Sequence, residues 1–244
     1  IRTIQLHQGK AIYGVGGGIT WDSTWESEYR EVHQKAAVLY RKQARFKLIT
    51  TGKISQKNLL FEEQHIERLR KASRYFAFPF DSENLKQKIE EECQACDANQ
   101  DYRLHISLDK SGEIEVDRQV LTALSPSFCQ AKLCLQEANL QQAFIYFKTT
   151  HRPHLSIGEQ EIIYHNKSGE LLETSIGNLV LKISGKLYTP PIRLGILPGI
   201  YRQLLLETGQ VEERVLTLKD LARAEAIYGC NAVRGLYELS VREN

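Results

Sequence analysis

Lys148 sits in FIYFKTTHR, behind an aromatic run and ahead of two threonines. An amine in that company, rather than among other charges, is partly withdrawn from water. Its pKa falls, so it can attack an aldehyde carbon and later carry a proton. Further along, GELLETSIGN places Glu173 and Asn178 around a turn. GILPGIYR follows, from Gly195 to Arg202, and then GCNAVRG, from Gly229 to Gly235. Gly199 can bring backbone close to a ligand, and the amides of Ile200 and Tyr201 open the helix that follows. Free N–H groups and the helix dipole together make an anion site. Taken singly, each element has an ordinary counterpart: a surface lysine at a strand end, a glutamate in a hairpin, a Pro-Gly bend.

These groups must be positioned by elements that the hydrophobic pattern lays out. IRTIQL and KAIYGVG alternate as two strands around a turn at Gly9. From Thr24 to Arg41 the residues Trp25, Tyr29, Val32, Ala36 and Leu39 recur at helical spacing. FKLITT (Phe46 to Thr51) is a strand, and FEEQHIERLRKASRYFAF a helix with Ile66, Leu69, Ala72 and Phe76 on one face, stopped with the help of Pro79. Ser82 is placed to cap the next helix, striped by Leu85, Ile89 and Cys93. YRLHISLD, EIEVDRQVL and AKLCLQE alternate as strands of a small mixed unit, and FIYF reads as a strand leading into Lys148. EIIYHNKSGELLET turns at Lys167 to Gly169, and LVLKISGKLYTPP turns at Ser184 and Gly185. A helix opens after Gly199, Thr217 caps another in TLKDLARAEAIYG, and GLYELSV closes as a strand. The connection around Gln136 to Gln142 is the expected domain boundary.

With 244 residues, 25% charged and 42% hydrophobic, the composition is that of an ordinary globular protein. A net charge of +2 points to neither nucleic acid nor a membrane surface, and no apolar run reaches the length of a spanning helix. Of five cysteines, Cys93 and Cys96 form a CxxC with no second pair, inside a helical pattern where Cys is usually a core residue. No metal site is expected, and the odd cysteine count suits a reducing, cytoplasmic setting. The chain starts at Ile1 and contains no methionine, so it is expected to be a piece of something longer.

In order and spacing, FKTTHR, ELLETSIGN, GILPGIYR and GCNAVRG resemble the fold-type IV family of pyridoxal-phosphate enzymes. The likeness runs from about Phe46 to Val241, and KTTHR is most similar to the 4-amino-4-deoxychorismate lyases within that family. It implies an α+β, two-domain, D-amino-acid-aminotransferase-like fold, preceded here by a short ββα segment. The implied domains are 1–42, 43–140 and 141–244, the last binding the cofactor. By the same resemblance the cofactor is pyridoxal 5'-phosphate, with Lys148 bonding its aldehyde and Glu173 facing its pyridine nitrogen. Arg68, in HIERL, would clamp the phosphate with Gly199, Ile200 and Tyr201, and Asn231 and Ala232 would close the cradle. Thr149, Arg152 and Arg234 are candidates for the substrate side. Asn178 is expected to shape the turn rather than touch the cofactor. Two departures stand out: Pro153 and His154 occupy the place where many transaminases of this fold carry an aromatic hydroxyl, and the family's usual opening hairpin before FKLITT is missing.

The first forty residues, with IRT, GVGGGITWDS and ESEYREVHQKA, resemble instead the C-terminal end of the chorismate-binding enzymes. There Arg2 would hold a carboxylate, Glu28 and Glu31 would help bind magnesium, and Lys35 would follow one turn later. The i, i+3 spacing puts both carboxylates on one helix face, although a solvated helix with Glu31–Lys35 pairing has the same pattern. The resemblances together imply a homodimeric lyase converting 4-amino-4-deoxychorismate to 4-aminobenzoate and pyruvate, part of a synthase/lyase fusion. An aminotransferase of the same fold and a non-catalytic module of a chorismate enzyme are the alternatives.

Overall fold

Gln8 and Gly9 both take positive φ, 47° and 75°, the backbone hand that folds one strand directly back on the next. They join β1 (Thr3–His7) to β2 (Lys10–Gly14) in an antiparallel pair, and α1 (Trp25–Tyr40) follows. This computed structural model describes residues 3–40, 45–136 and 143–241. Arg2 therefore lies outside the described residues, as do residues 137–142 of the expected domain boundary. The chain divides into two units, Ile1–Arg45 and Phe46–Asn244.

In the first unit the glycine-rich loop folds onto α1 through polar contacts. Lys35 pairs with Glu31 and donates to the Gly16 carbonyl at 2.8 Å, and the Ser23 hydroxyl donates to Glu28 at 2.6 Å. Gly17 lies close against the same carboxylates: a Cβ there would stand 2.9 Å from Glu28 Oε2. An open groove of about 720 Å3 is lined by Thr3, Gln5, Ile12, Gly14 and Lys35 among others. Leu6, Ile19, Trp21 and Trp25 are strongly exposed.

The second unit holds two sheets. The smaller has the order β4-β3-β5-β6, from β3 (Leu48–Ser55), β4 (Asn58–Leu59), β5 (Tyr102–Leu108) and β6 (Ile114–Val120). Helices α2 (Glu62–Phe76) and α3 (Ser82–Gln94) are apolar on one face and join this sheet in a single core. Ile66, Leu69, Leu85 and Ile89 meet Leu48, Ile54, Leu104 and Ile106 there, with Cys93 and Cys96 as small apolar fillers. Strand alternation sends Thr51 and His105, directly paired between β3 and β5, to the opposite face. The cap of α3 is Asp81, whose carboxylate accepts from the Glu83 and Asn84 amides, rather than Ser82, which is the first helical residue.

β7 (Gln130–Leu135) departs from expectation: it pairs in parallel with strands of the larger sheet, not with the small unit. The larger sheet contains β8 (Ile162–His165), β9 (Leu171–Thr174), β10 (Asn178–Ile183), β11 (Lys186–Thr189), β12 (Glu212–Glu213), β13 (Ala226–Asn231) and β14 (Gly235–Val241). Its order is β12-β11-β10-β13-β14-β7-β8-β9, and β9 returns to β10 through the pair Glu173↔Asn178. That pair closes six strands into a ring filled by Ala131, Ile163, Leu171, Leu179, Leu181 and Leu239.

FIYF is not a strand. It forms one helical turn, α4 (Ala143–Tyr146), because residues three apart must both reach one aromatic cluster. Phe144 packs on Phe46 and Phe76 at 4.9 and 5.5 Å between ring centres, and Phe147 on Tyr75 at 4.6 Å. α5 (Ile200–Glu207) begins after Gly199 as expected. α6 (Leu218–Ala222) carries the Thr217 cap in a full capping box with Asp220 but stops early, and AIYGCN is strand β13.

Candidate active site

Beyond α4 the chain runs beside the start of β3. Ile49 N–H donates to the Lys148 carbonyl and Thr150 N–H to the Lys47 carbonyl, both at 2.9 Å. This crossing fixes Lys148 where the two sheets of the second unit meet. Its Nζ lies 3.5 Å from the Thr51 hydroxyl, which is 3.2 Å from His105 Nδ1. Withdrawal from water, then the guanidinium groups of Arg68, Arg152 and Arg103, hold the amine well below its usual pKa, against a weaker pull from Glu173.

Glu173 is 2% exposed. Its Oε2 accepts the Leu197 N–H at 3.2 Å, while Oε1 is buried with no partner among the described residues. Arg152 Nη2 stands 3.9 Å from Oε2. Burial pushes the Glu173 carboxyl up to about 7, and Arg152, the Leu197 amide and Lys148 oppose the shift. Arg152, a candidate for the substrate side, is thus turned toward Glu173.

The loop before α5 is held at successive atoms. Asn178 Nδ2 donates to the Leu197 carbonyl at 2.8 Å, and Arg68 Nη2 donates to the Pro198 carbonyl at 2.7 Å. Burial, then Arg152, lowers the Arg68 pKa to about 10. A Cβ on Gly199 would lie 1.9 Å from Asn178 Oδ1, so a side chain here would have to displace that of Asn178. Gly199 caps α5 without a side-chain hydrogen bond. Buried Arg202 anchors the first turn of the helix by donating to the Pro190 carbonyl and pairing with Glu213, at 2.8 and 2.5 Å. Tyr201 packs edge-on against Phe61, its hydroxyl close over Gly235.

Asn231 uses its side chain on the turn: Oδ1 accepts the Val233 and Arg234 amides, and Nδ2 donates to Ile176 O. Ala232 is half-buried between them. Arg234 donates to the Thr122 carbonyl, and the Thr149 hydroxyl to the His151 carbonyl at 2.9 Å. Glu28, Glu31 and Lys35 lie together in the first unit, bonded as described above.

Several residues escaped the sequence reading. Thr51, His105 and Arg103 face Lys148 from β3 and β5. His65 is wholly buried, 2.6 Å from the Thr50 hydroxyl, with burial the first cause of a pKa near about 3, so its ring is neutral. Glu161, also wholly buried, accepts from the Ser175 hydroxyl, the Ile176 amide and the Tyr237 hydroxyl behind the β9–β10 turn. The inward face of the HIERL helix is legible in its apolar stripe, but the FKLITT strand gives no sign that Thr51 turns toward Lys148.

The chain belongs to the aminotransferase class IV family, whose profile matches residues 47–240. That family typically binds pyridoxal phosphate. The chorismate binding enzyme profile matches residues 1–41. The chain is 30% identical to the aminodeoxychorismate lyase of Saccharomyces cerevisiae over 126 residues, 41% of this chain and 34% of the yeast protein. It spans about a third of the length of the first curated relatives it matches, 36% and 34%. In three dimensions it is similar to an amino-acid aminotransferase, provisionally so assigned, from Mesorhizobium loti. The TM-score is 0.71 at 24% identity, over 81% of this chain and all of that one. A Legionella pneumophila protein provisionally assigned as a 4-amino-4-deoxychorismate lyase aligns with a TM-score of 0.65 at 21% identity, over 81% and 83%. Among the described residues no helix is long and apolar enough to cross a membrane.

Proposed function

We propose that this chain is a pyridoxal-phosphate-dependent lyase that cleaves 4-amino-4-deoxychorismate to 4-aminobenzoate and pyruvate. The observation that carries it is a low-pKa lysine facing a buried carboxylate with one unpaired oxygen, beside a backbone loop that can take a phosphate. The residues fit the cofactor. Lys148 would bond its aldehyde, Glu173 Oε1 would meet the ring nitrogen, and Arg68 with the Ile200 and Tyr201 amides would hold the phosphate. When bound, the cofactor supplies an aldehyde that captures the substrate amine and a ring that accepts electrons.

The protein's own part follows from the geometry. Lys148 Nζ, its pKa held well below the usual lysine value, takes the proton from the amine-bearing carbon as the ether bond to the enolpyruvyl group breaks; that group leaves as enolpyruvate and takes up a proton to become pyruvate. The Thr51 hydroxyl steadies Nζ. Arg68, Arg103 and Arg152 stand around Lys148 with Glu173 as the carboxylate among them, a set whose excess of positive charge suits a substrate bearing two carboxylates. Aromatisation of the released ring favours completion. The match of residues 1–41 to chorismate-binding enzymes fits a substrate made from chorismate.

A second reading has an observation of its own, since structural neighbours include a protein assigned as an aminotransferase. The protein loaded with pyridoxal phosphate is therefore given 4-amino-4-deoxychorismate and, separately, an amino acid with a 2-oxo acid. Equal release of 4-aminobenzoate and pyruvate is expected. Amino transfer without 4-aminobenzoate would replace the lyase with an aminotransferase.

A further inference from the structure

Glu173 and Asn178 close the strand ring and both reach Leu197. Glu173 Oε2 accepts its N–H at 3.2 Å, and Asn178 Nδ2 donates to its carbonyl at 2.8 Å. Asn178 Oδ1 also occupies the space where a side chain on Gly199 would stand, 1.9 Å from the ideal Cβ. Asn178 is 2% exposed, and neither a carboxylate nor a hydroxyl could reproduce both contacts.

We infer that Asn178 is the positioning residue of the phosphate site. It fixes the Leu197–Gly199 backbone so that the Ile200 and Tyr201 amides point at the phosphate. Through Leu197 it also makes that loop one unit with the carboxylate that meets the ring nitrogen. The inference rests on the cofactor assignment above. Its consequence is selective. Removing Asn178 leaves the buried Leu197 carbonyl without its donor and loosens the loop before α5, while Lys148 keeps its backbone crossing on β3 and Glu173 keeps its backbone pairing between β9 and β10. Affinity for the phosphorylated cofactor should fall much more than affinity for the same ring without phosphate.

The test compares pyridoxal 5'-phosphate and pyridoxal binding to the full chain, by absorbance titration, for the wild type, Asn178→Ala, Gly199→Ala and the double variant. Asn178→Ala is expected to weaken pyridoxal 5'-phosphate about tenfold or more and pyridoxal by less than about threefold. Gly199→Ala should cost a similar factor alone but little in the Asn178→Ala background, because the atom it strikes is gone. Asn178→Asp keeps the size of the side chain and sets a carboxylate against the Leu197 carbonyl. It serves if the alanine variant does not fold, with an equal or larger selective loss expected. Equal weakening of both ligands, or a Gly199→Ala cost independent of Asn178, would show a merely structural asparagine and overturn the inference. A wild type that binds neither ligand would overturn the cofactor assignment itself, an outcome distinct from variants that behave like a binding wild type.

Discussion

Arg152 and Glu173 face each other at 3.9 Å, with side chains 16% and 2% exposed. The guanidinium is close enough to favour the carboxylate but does not outweigh the burial that pushes it up to about 7. An acid whose folded pKa exceeds its unfolded value binds extra protons when folded. Its contribution to stability is therefore lost as pH rises, here between about 4.5 and about 7. Lys148 works in the opposite sense: its depressed pKa makes stability rise with pH below the usual lysine value.

Glu173→Gln should remove the falling limb. Urea unfolding of the protein without cofactor should show the variant gaining on the wild type as pH rises from 4.5 to 7. The gain should total about 3 kcal/mol, at about 1.4 kcal/mol per pKa unit. Arg152→Ala should move the limb to higher pH, since the remaining burial acts unopposed. A stability difference that is flat with pH would mean Glu173 is not the titrating group.

Lys148 should carry the cofactor. Borohydride treatment of the loaded protein, followed by peptide mass mapping, is expected to place the pyridoxyl group on the peptide containing Lys148. Lys148→Ala should keep some binding through the loop before α5 but lose turnover by at least about a thousandfold, because anchor and base vanish together. Label on another lysine would remove Lys148 from the chemistry.

Arg68 spends one donor on the Pro198 carbonyl, so its loss disturbs the loop as well as the charge. Arg68→Ala should weaken pyridoxal 5'-phosphate by about 1.5–3 kcal/mol. Arg68→Lys, which keeps charge but not the planar fork, should recover part of this. Unchanged retention of cofactor on dialysis would leave Arg68 only a structural role.

What the sequence disclosed tracks how local each signal is. Gly9, Gly169 and Gly185, all at positive φ, marked their hairpins, and Thr217 marked a helix start, because turn and cap chemistry act over a few residues. FIYF failed because four apolar residues have no period to read; its helical turn is dictated by Phe46, Phe76 and Tyr75, far away in the chain. The alternation of AKLCLQE showed a strand but not its partners, which are parallel neighbours from distant segments. In the site, Lys148, Glu173 and Gly199 announced themselves by type and motif. Thr51 and His105 did not, because only the crossing of the lysine segment over β3 shows which strand face matters. The grip on Leu197 involves backbone atoms, which leave no trace in residue types except the glycine beside it.

The first unit should have no chorismate chemistry of its own. Its two glutamates are engaged locally, Glu31 with Lys35 and Glu28 with the Ser23 hydroxyl. Lys35 is held further by the Gly16 carbonyl. A divalent ion would have to break these contacts and then sit on two carboxylates and water, too few strong ligands for tight binding. Among the described residues no cluster of acidic, histidine or cysteine groups is arranged to hold a metal. Trp21 is fully exposed and Trp25 largely so, and these are the chain's two tryptophans. Their fluorescence therefore arises from this unit. Titration with chorismate and magnesium should leave the emission unchanged apart from inner-filter loss, and Glu28→Gln with Glu31→Gln should not alter the result. Saturable, magnesium-dependent quenching at micromolar chorismate, abolished by the two substitutions, would show that the local pairs give way to a working site.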